Sequence, residues 1–373
     1  MILPSARLGG KKMKKYSFII PTYNSKMMLK NSLEALNYVE SSPLVNFEVI
    51  VVDDGSTDGT YDYIKGINRN YDLKYLYLDR CDDSCRSRAR NYGIKHCEGK
   101  IIIFIDADII VRKDYLSEVE RYYTVIEDIV LIGPRLMIPK DISFEMIQDG
   151  SVFKEYIFDC HQSELHDFRC GVFNELSYNA TAIRFPFLYG QSCNLIVPKK
   201  WLKKVNGFDE ELKAWGLEDI ELVYRIYKEG LKIVINSKLE VLHQFHWVEG
   251  KVVEKSKIAG VEENTRLFLL KHSNIFKISD EKVYELFKSL ANKFWYIEKQ
   301  VPENANRIVV EFKDENTLED LKKTISKLSD IKDIDIVVND YLENTDLDIW
   351  IQLLGSRNST PKYYPVSRRL LEV

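Results

Sequence analysis

The chain has 373 residues, of which 45% are hydrophobic and 29% charged, with a net charge of -4. That length is too great for one small core and fits a main domain with an appendage. The charge excludes general attraction to nucleic acid or an anionic membrane, and no apolar run approaches the roughly 20 residues that cross a bilayer.

The first segment, "MILPSARLGGKK" (1–12), reads as a leader or tag-like stretch ahead of a start at Met13, without a secretory apolar region. "YSFII" predicts a buried strand, "PTYNS" a turn, and Lys26–Glu40 a helix. "FEVIVV" is a second strand running into "DDGSTDGT", "DLKYLYL" a third, and "SRARNYGIKHCEG" a helix ending at Gly99. "KIIIFI" is a fourth strand that runs straight into "DADII". Apolar strands alternating with helices predict an α/β domain with a mostly parallel central sheet flanked by helices. Ligands in such sheets bind beyond the carboxyl ends of the strands. "PTYN", "DDGS" and "DAD" all stand at such ends, so they converge on one edge.

From Ile126 to Gly190 the pattern loosens. "FKEYIFDCHQSELHDF" predicts a helix, and the aromatic stretch Phe173–Tyr189 is assigned as an acceptor wall. A strand "CNLIVP", the helix "LEDIELVYRIYKEG", strands near "KIVIN" and "EVLHQF", and helices "VEENTRLFLLKHSNIF" and "DEKVYELFKSLANKFWYIEKQ" follow. Past a boundary near Val301–Asn304 comes a βαβ-like unit built from "RIVVEF", "TLEDLKKTISKLS", "IDIVVND" and "DIWIQLL". "STPKYYPVSRRLLEV" reads as a partly ordered tail. Six cysteines make no disulfide framework in a chain this long. Cys81, Cys85, His96 and Cys97 lack the paired C-x-x-C knuckles of a zinc site, so free thiols and a cytoplasmic setting are expected.

Three clusters carry chemistry. Asp106 and Asp108, two residues apart past a strand, can both face a hard divalent cation that bridges to a diphosphate. Asp53 and Asp54 can accept from a uracil imide or ribose hydroxyls, while Gly55 and Ser56 permit a tight turn and Asp58 helps cap the next helix. Arg86, Arg88 and Arg90 cannot share one helix face; Arg90 is assigned to the diphosphate and the other two to the surface.

The order "FIIPTYN", "VIVVDDGSTDGT", "ARNYGIKHCEGKIIIFIDAD" resembles the nucleotide-binding half of family 2 glycosyltransferases with the GT-A fold, over Tyr16 to Leu116. "VNGFDEELKAWGLEDIELVYRIYKEG" is similar to the acceptor-side motif of β-1,4-galactosyltransferases, chondroitin-polymerase-type enzymes and polypeptide N-acetylgalactosaminyltransferases, which carries the resemblance to Trp247. It implies that Pro21, Thr22 and Tyr23 hold the nucleoside and that Asp53 reads the uracil. It also implies that Asp106 and Asp108 belong to a metal site for Mn2+ or Mg2+, completed by His243 or, as second choice, His246. Asp219 then matches the base that deprotonates the acceptor, Glu218 the neighbour that contacts it, and Trp215 the indole that packs on sugar. Leu217 departs from the pattern, standing where the galactosyltransferases have glycine. The D-A-D form favours the inverting branch, and the Q-x-x-R-W signature of processive membrane synthases is absent.

The expected organisation is a GT-A domain over 13–300, divided into a nucleotide and metal half (13–125), an acceptor half (126–250) and a helical extension (251–300). A small α/β domain and tail (301–373) would follow, through which a homo-oligomer could form. The expected activity moves a hexose or N-acetylhexosamine from a UDP-sugar to a glycan or lipid-linked acceptor in bacterial surface polysaccharide assembly, with at most peripheral membrane contact. A peptide or small-metabolite acceptor is the alternative, as is a degenerate sugar-binding protein without activity. A sugar-phosphate nucleotidyltransferase fits poorly, because "PTYNSK" lacks a glycine-rich phosphate loop.

Overall fold

The computed structural model describes residues 15–40, 46–138, 142–154, 169, 172–173, 178–183, 185–244, 255–273, 275–276, 279, 281–282, 305–354 and 359–365. In chain order its strands and helices are β1 (Tyr16–Thr22), α1 (Lys26–Asn37), β2 (Phe47–Asp53), α2 (Thr60–Gly66), β3 (Asp72–Tyr77), α3 (Arg86–His96), β4 (Ile101–Phe104), β5 (Ile109–Val111), α4 (Tyr115–Val125), β6 (Ile129–Ile132), β7 (Arg135–Met137) and α5 (Phe144–Asp149). They continue with β8 (Leu195–Pro198), α6 (Lys199–Lys204), α7 (Glu218–Lys228), β9 (Lys232–Ile235), β10 (Val241–His243), α8 (Lys255–Lys271), β11 (Asn306–Phe312), α9 (Leu318–Ser329), β12 (Ile334–Asp340), α10 (Thr345–Leu353) and β13 (Lys362–Pro365).

A seven-stranded sheet runs β3-β2-β1-β4-β8-β6-β9. Its left half is parallel, and β8 runs antiparallel to both β4 and β6. Strands buried on both faces read as continuous apolar runs, which is why "FEVIVV" and "KIIIFI" were legible: Val49–Val52 and Ile102–Phe104 have no exposure. β1 lies between β2 and β4, so strand order reverses there and a crevice opens between the ends of neighbouring strands.

A second sheet, β5-β10-β7, has only three residues per strand. Its strand β7, with β6 and α5, occupies part of the region where the sequence pattern loosened. Ile129–Ile132 is a four-residue apolar run without alternation, which periodicity cannot assign.

The third sheet, β11-β12-β13, is all parallel. Asp348–Leu353 fall on helix α10, and the third strand comes from Lys362–Pro365, within the expected tail. This unit is fastened to β9, the edge of the large sheet. The Ile235 N–H donates to Gln352 Oε1 at 2.8 Å, and Gln352 Nε2 donates back to the Ile235 carbonyl at 2.9 Å. One side-chain amide thus pairs an edge that would otherwise present open hydrogen-bonding groups. Tyr122 OH donates to Asp348, and Asn179 Nδ2 to the Pro361 carbonyl, across the same junction. The leader, the predicted helix over 153–168 beyond Lys154, most of that over 280–300, and the boundary at 301–304 lie outside the described residues. No helix among the described residues is long and apolar enough to cross a membrane.

Candidate active site

The loops after β1 and β2 are laced together. The Asn24 N–H donates to Ser56 Oγ, and the Thr57 N–H to Asn24 Oδ1, each at 2.8 Å. Asp58 Oδ1 accepts from the Thr60 N–H and hydroxyl at the start of α2, as its capping role required. Pro21 and Thr22 close β1, and the buried Thr22 Oγ1 has no hydrogen-bond partner. Tyr23 is exposed, with the Arg80 guanidinium 4.0 Å from its ring centroid.

Both Asp53 oxygens are engaged within the protein. Oδ1 accepts from the Ser56 N–H at 2.7 Å and Oδ2 from Tyr75 OH at 2.6 Å, with the residue fully buried. Asp54 holds Arg80 at 2.5 Å and Arg88 at 3.2 Å. Arg88 is therefore not the free surface charge expected of it; Arg86 is exposed.

Arg90 is almost fully buried and joins the two halves of the molecule. Nη2 donates to Asp106 Oδ1 and Nη1 to Glu218 Oε1, each at 2.9 Å. Asp106 and Glu218, 112 positions apart in sequence, thus meet on one guanidinium. Its planar fork supports this two-carboxylate geometry, which a lysine ammonium cannot reproduce.

Asp108 lies on the other side of the D-A-D turn. The antiparallel pairing of β10 with β5 sets His243 opposite Ile109. That places His243 Nε2 3.2 Å from Asp108 Oδ2. Gln244 locks the arrangement: its N–H donates to the Asp108 carbonyl at 2.9 Å, and its side chain bonds Asn31 and the Met28 carbonyl on α1. Two donors bound side by side to a six-coordinate ion at about 2.1 Å stand about 3 Å apart, so the Asp108–His243 spacing fits a shared divalent ion. Asp106 is turned to Arg90 instead, and no group of three or more metal-holding side chains forms among the described residues. His246 lies outside them.

The acceptor-side string opens α7. Gly216 has φ +93° and Leu217 φ +70°, so the chain enters the helix through two left-handed residues. For leucine this conformation costs roughly 1–2 kcal/mol, which glycine would avoid. Asp219 Oδ2 accepts from the Ser192 N–H at 3.1 Å and the Ser192 hydroxyl at 3.3 Å, and Oδ1 from the Ile220 N–H at 2.8 Å. Burial and the neighbouring Glu218 push its carboxyl up to about 6, against the opposing pull of Arg90 and the two N–H donors. Glu218 Oε2 is buried and has no hydrogen-bond partner.

A cavity of about 260 Å³ gathers these groups. Asp106 and Arg90 line it beside Trp215, Glu218 and Asp219. Arg135, Gln191, Ser192, Cys193 and Val261 also line it and were not foreseen; their only signal was proximity to β7, β8 and α8. Among the described residues, the rings of the expected aromatic wall do not line this cavity. Phe173, Tyr178, Phe185, Phe187 and Tyr189 are buried in the core beside α7, because rings in a turn-rich segment pack inward when apolar surface is available.

Residues 17–184 match the model of glycosyl transferase family 2, and residues 174–247 that of the N-terminal domain of galactosyltransferase. Validoxylamine A glucosyltransferase of Streptomyces hygroscopicus subsp. jinggangensis is 24% identical over 294 residues, covering 74% of this chain and 64% of that protein. Chondroitin synthase of Pasteurella multocida is 28% identical over 339 residues, 82% of this chain but 34% of that protein. The chain therefore spans under two thirds of the length of these relatives. The crystal structure of S. aureus TarS superposes with a TM-score of 0.51 at 20% identity, covering 74% of this chain and 42% of that one. TarS 1-349 in complex with UDP-GlcNAc gives 0.50 at 17%, covering 75% and 72%. That likeness shows a GT-A-type fold: a large central sheet flanked by helices. The chain carries a glycosyl transferase family 2 domain, continued by a segment of the galactosyltransferase type.

Proposed function

We propose that the chain is a metal-assisted, inverting glycosyltransferase that moves a hexose or N-acetylhexosamine from a UDP-sugar to a hydroxyl of a glycan or lipid-linked acceptor. One observation carries this most directly: Arg90 ties Asp106 of the nucleotide half to Glu218 of the acceptor half at the wall of a single cavity. A structural ion pair alone does not require that both partners border the cavity that also holds Asp219.

The geometry supports the following residue roles. Tyr23, exposed at the end of β1, offers a face for the nucleobase, with Pro21 and Thr22 beside it. Asp53 shapes the base pocket through Ser56 and Tyr75. As the acceptor oxygen bonds to the anomeric carbon, its proton passes to Asp219 and the breaking bond's electron pair leaves with UDP. A carboxyl raised to about 6 is a base matched to neutral pH. Glu218 Oε2 lacks a partner, and an acceptor hydroxyl donating to it would remove a desolvation cost of roughly 1–3 kcal/mol. Trp215, 37% exposed, presents an indole face for a sugar ring. A divalent ion held by Asp108 and His243 would offset the charge that develops on the departing diphosphate.

Incubation with Mn2+ and a panel of UDP-sugars tests this by release of UDP. Release from at least one donor is expected, with Asp108→Ala removing the metal dependence of UDP binding. No donor bound or cleaved, and no effect of metal on UDP affinity, would defeat the proposal.

A further inference from the structure

Helix α8 begins beyond both matched family segments, the second of which ends at residue 247. It is fastened to α7 near its C-terminal end. The Phe268 and Tyr224 rings lie 5.9 Å apart, and His272, just past the helix, has Nε2 2.8 Å from Glu221 Oε1. Its middle grips the loop that carries Trp215. Asn264 is fully buried, and its Nδ2 donates to the Gly216 carbonyl at 2.6 Å and the Ala214 carbonyl at 3.1 Å. One turn earlier, Gly260 packs directly on the Trp215 backbone; a Cβ there would stand 2.8 Å from the Trp215 nitrogen. Val261 borders the cavity and approaches Gly216. The Lys257 ammonium sits 5.8 Å from the centroid of the Trp215 ring. Residues 257, 260, 261 and 264 have the spacing of one helix face, and that face is spent on Ala214–Gly216.

We propose that α8 is a wall of the acceptor site, and that Asn264 and Gly260 are positioning residues that set the Trp215 indole relative to Asp219. Fastened to α7 at one end and to the Trp215 loop in its middle, α8 holds the sugar platform at a fixed distance from the proton acceptor. This rests on the reading of Trp215–Asp219 as the acceptor segment.

The test uses full-length protein carrying 5-fluorotryptophan, with the Trp215 resonance assigned by its loss in Trp215→Phe. Gly260→Ala is informative because alanine favours the helix, so an effect on the site comes from its Cβ against the Trp215 backbone and not from lost helix propensity. In Gly260→Ala and Asn264→Ala the Trp215 fluorine resonance is expected to shift, while UDP affinity in Mn2+ stays within about twofold. Hydrolysis of the donor by water, which needs no sugar platform, is expected to stay within about threefold. Transfer to methyl β-glycosides of glucose, galactose, N-acetylglucosamine or glucuronic acid should fall about tenfold or more through the acceptor KM. An unmoved Trp215 resonance overturns the proposal, as does a parallel loss of UDP affinity and hydrolysis. If Trp215→Phe and Trp215→Ala leave sugar transfer intact, the acceptor reading itself fails, whichever way the α8 variants behave.

Discussion

Replacing Asp219 by asparagine separates catalysis from stability in one residue. The side chain keeps nearly the same shape, and its remaining carbonyl oxygen can still accept from Ser192 or Ile220. It can no longer take a proton, so turnover is expected to fall by about 10²–10⁴, the scale of general base loss, with UDP affinity unchanged. The native carboxyl is raised from 3.8 to about 6, first by burial and then by Glu218. A group raised in the folded state stabilises it fully below its unfolded value, and that contribution is lost as pH rises through the folded value. Ionised Asp219 therefore weakens the fold at pH 8. Two pK units correspond to about 3 kcal/mol; partial exposure to solvent trims this toward about 2 kcal/mol. Urea unfolding should show Asp219→Asn more stable than the native chain by that amount at pH 8, with the gap closing below about pH 4. UDP-release kinetics of the native chain should rise through about pH 6, reaching roughly a tenth of the plateau at pH 5. Normal turnover in the variant would remove Asp219 from the chemistry. An inactive variant with no stability gain at pH 8 would refute the desolvated environment described for the carboxyl.

Arg90→Lys should hold at most one of Asp106 and Glu218. Urea unfolding is expected to show a loss approaching the roughly 3–5 kcal/mol of a broken buried pair. His243→Ala should weaken Mn2+ binding measured by electron paramagnetic resonance of the free ion; an unaffected ion would transfer the role to His246 or to water. Asp348→Asn probes the C-terminal junction: burial, ahead of the opposing bonds from Tyr122 and Gln352, raises this carboxyl to about 6. By the same sign, the variant should melt higher than the native chain at pH 8 and equal it below about pH 4 in scanning fluorimetry.

What could be read ahead of the structure follows from length scale. β1, β2 and β4 lie in apolar runs buried on both faces and bounded by turn residues, so their ends, and with them "PTYN", "DDGS" and "DAD", fell into place from local pattern. β5, β7 and β10 have three residues each, too few for any periodicity, yet the β5–β10 pairing is what sets His243 beside Asp108. Arg90 was singled out for the diphosphate, but its two carboxylate partners come from distant segments, and only packing of α3 against both halves shows them. The Phe173–Tyr189 aromatics misled because ring content is the same in a core and in a sugar-binding wall, and burial alone distinguishes them. Asn264 and Gly260 carry no motif, and their partners lie 45 or more positions away in sequence.

The first turn of α7 shows why acidic composition alone does not identify a base. Glu218, Asp219 and Glu221 share the first turn of one helix, whose dipole favours the charged forms of Asp219 and Glu221. Their surroundings nevertheless push them apart. Glu221 is buried, which opposes its ionisation, yet His272 and Arg225 hold it below the usual carboxylate range. Asp219 is buried and faces Glu218, with only two N–H groups and a serine hydroxyl against them, so its proton affinity rises despite the dipole. Divergent environments for neighbouring carboxylates are how one site comes to hold both a fixed anion and a proton acceptor. The dipole therefore accounts for the clustering of acids at the start of α7, while burial and Glu218 raise the proton affinity of Asp219, which lines one cavity with Trp215 and Asp106.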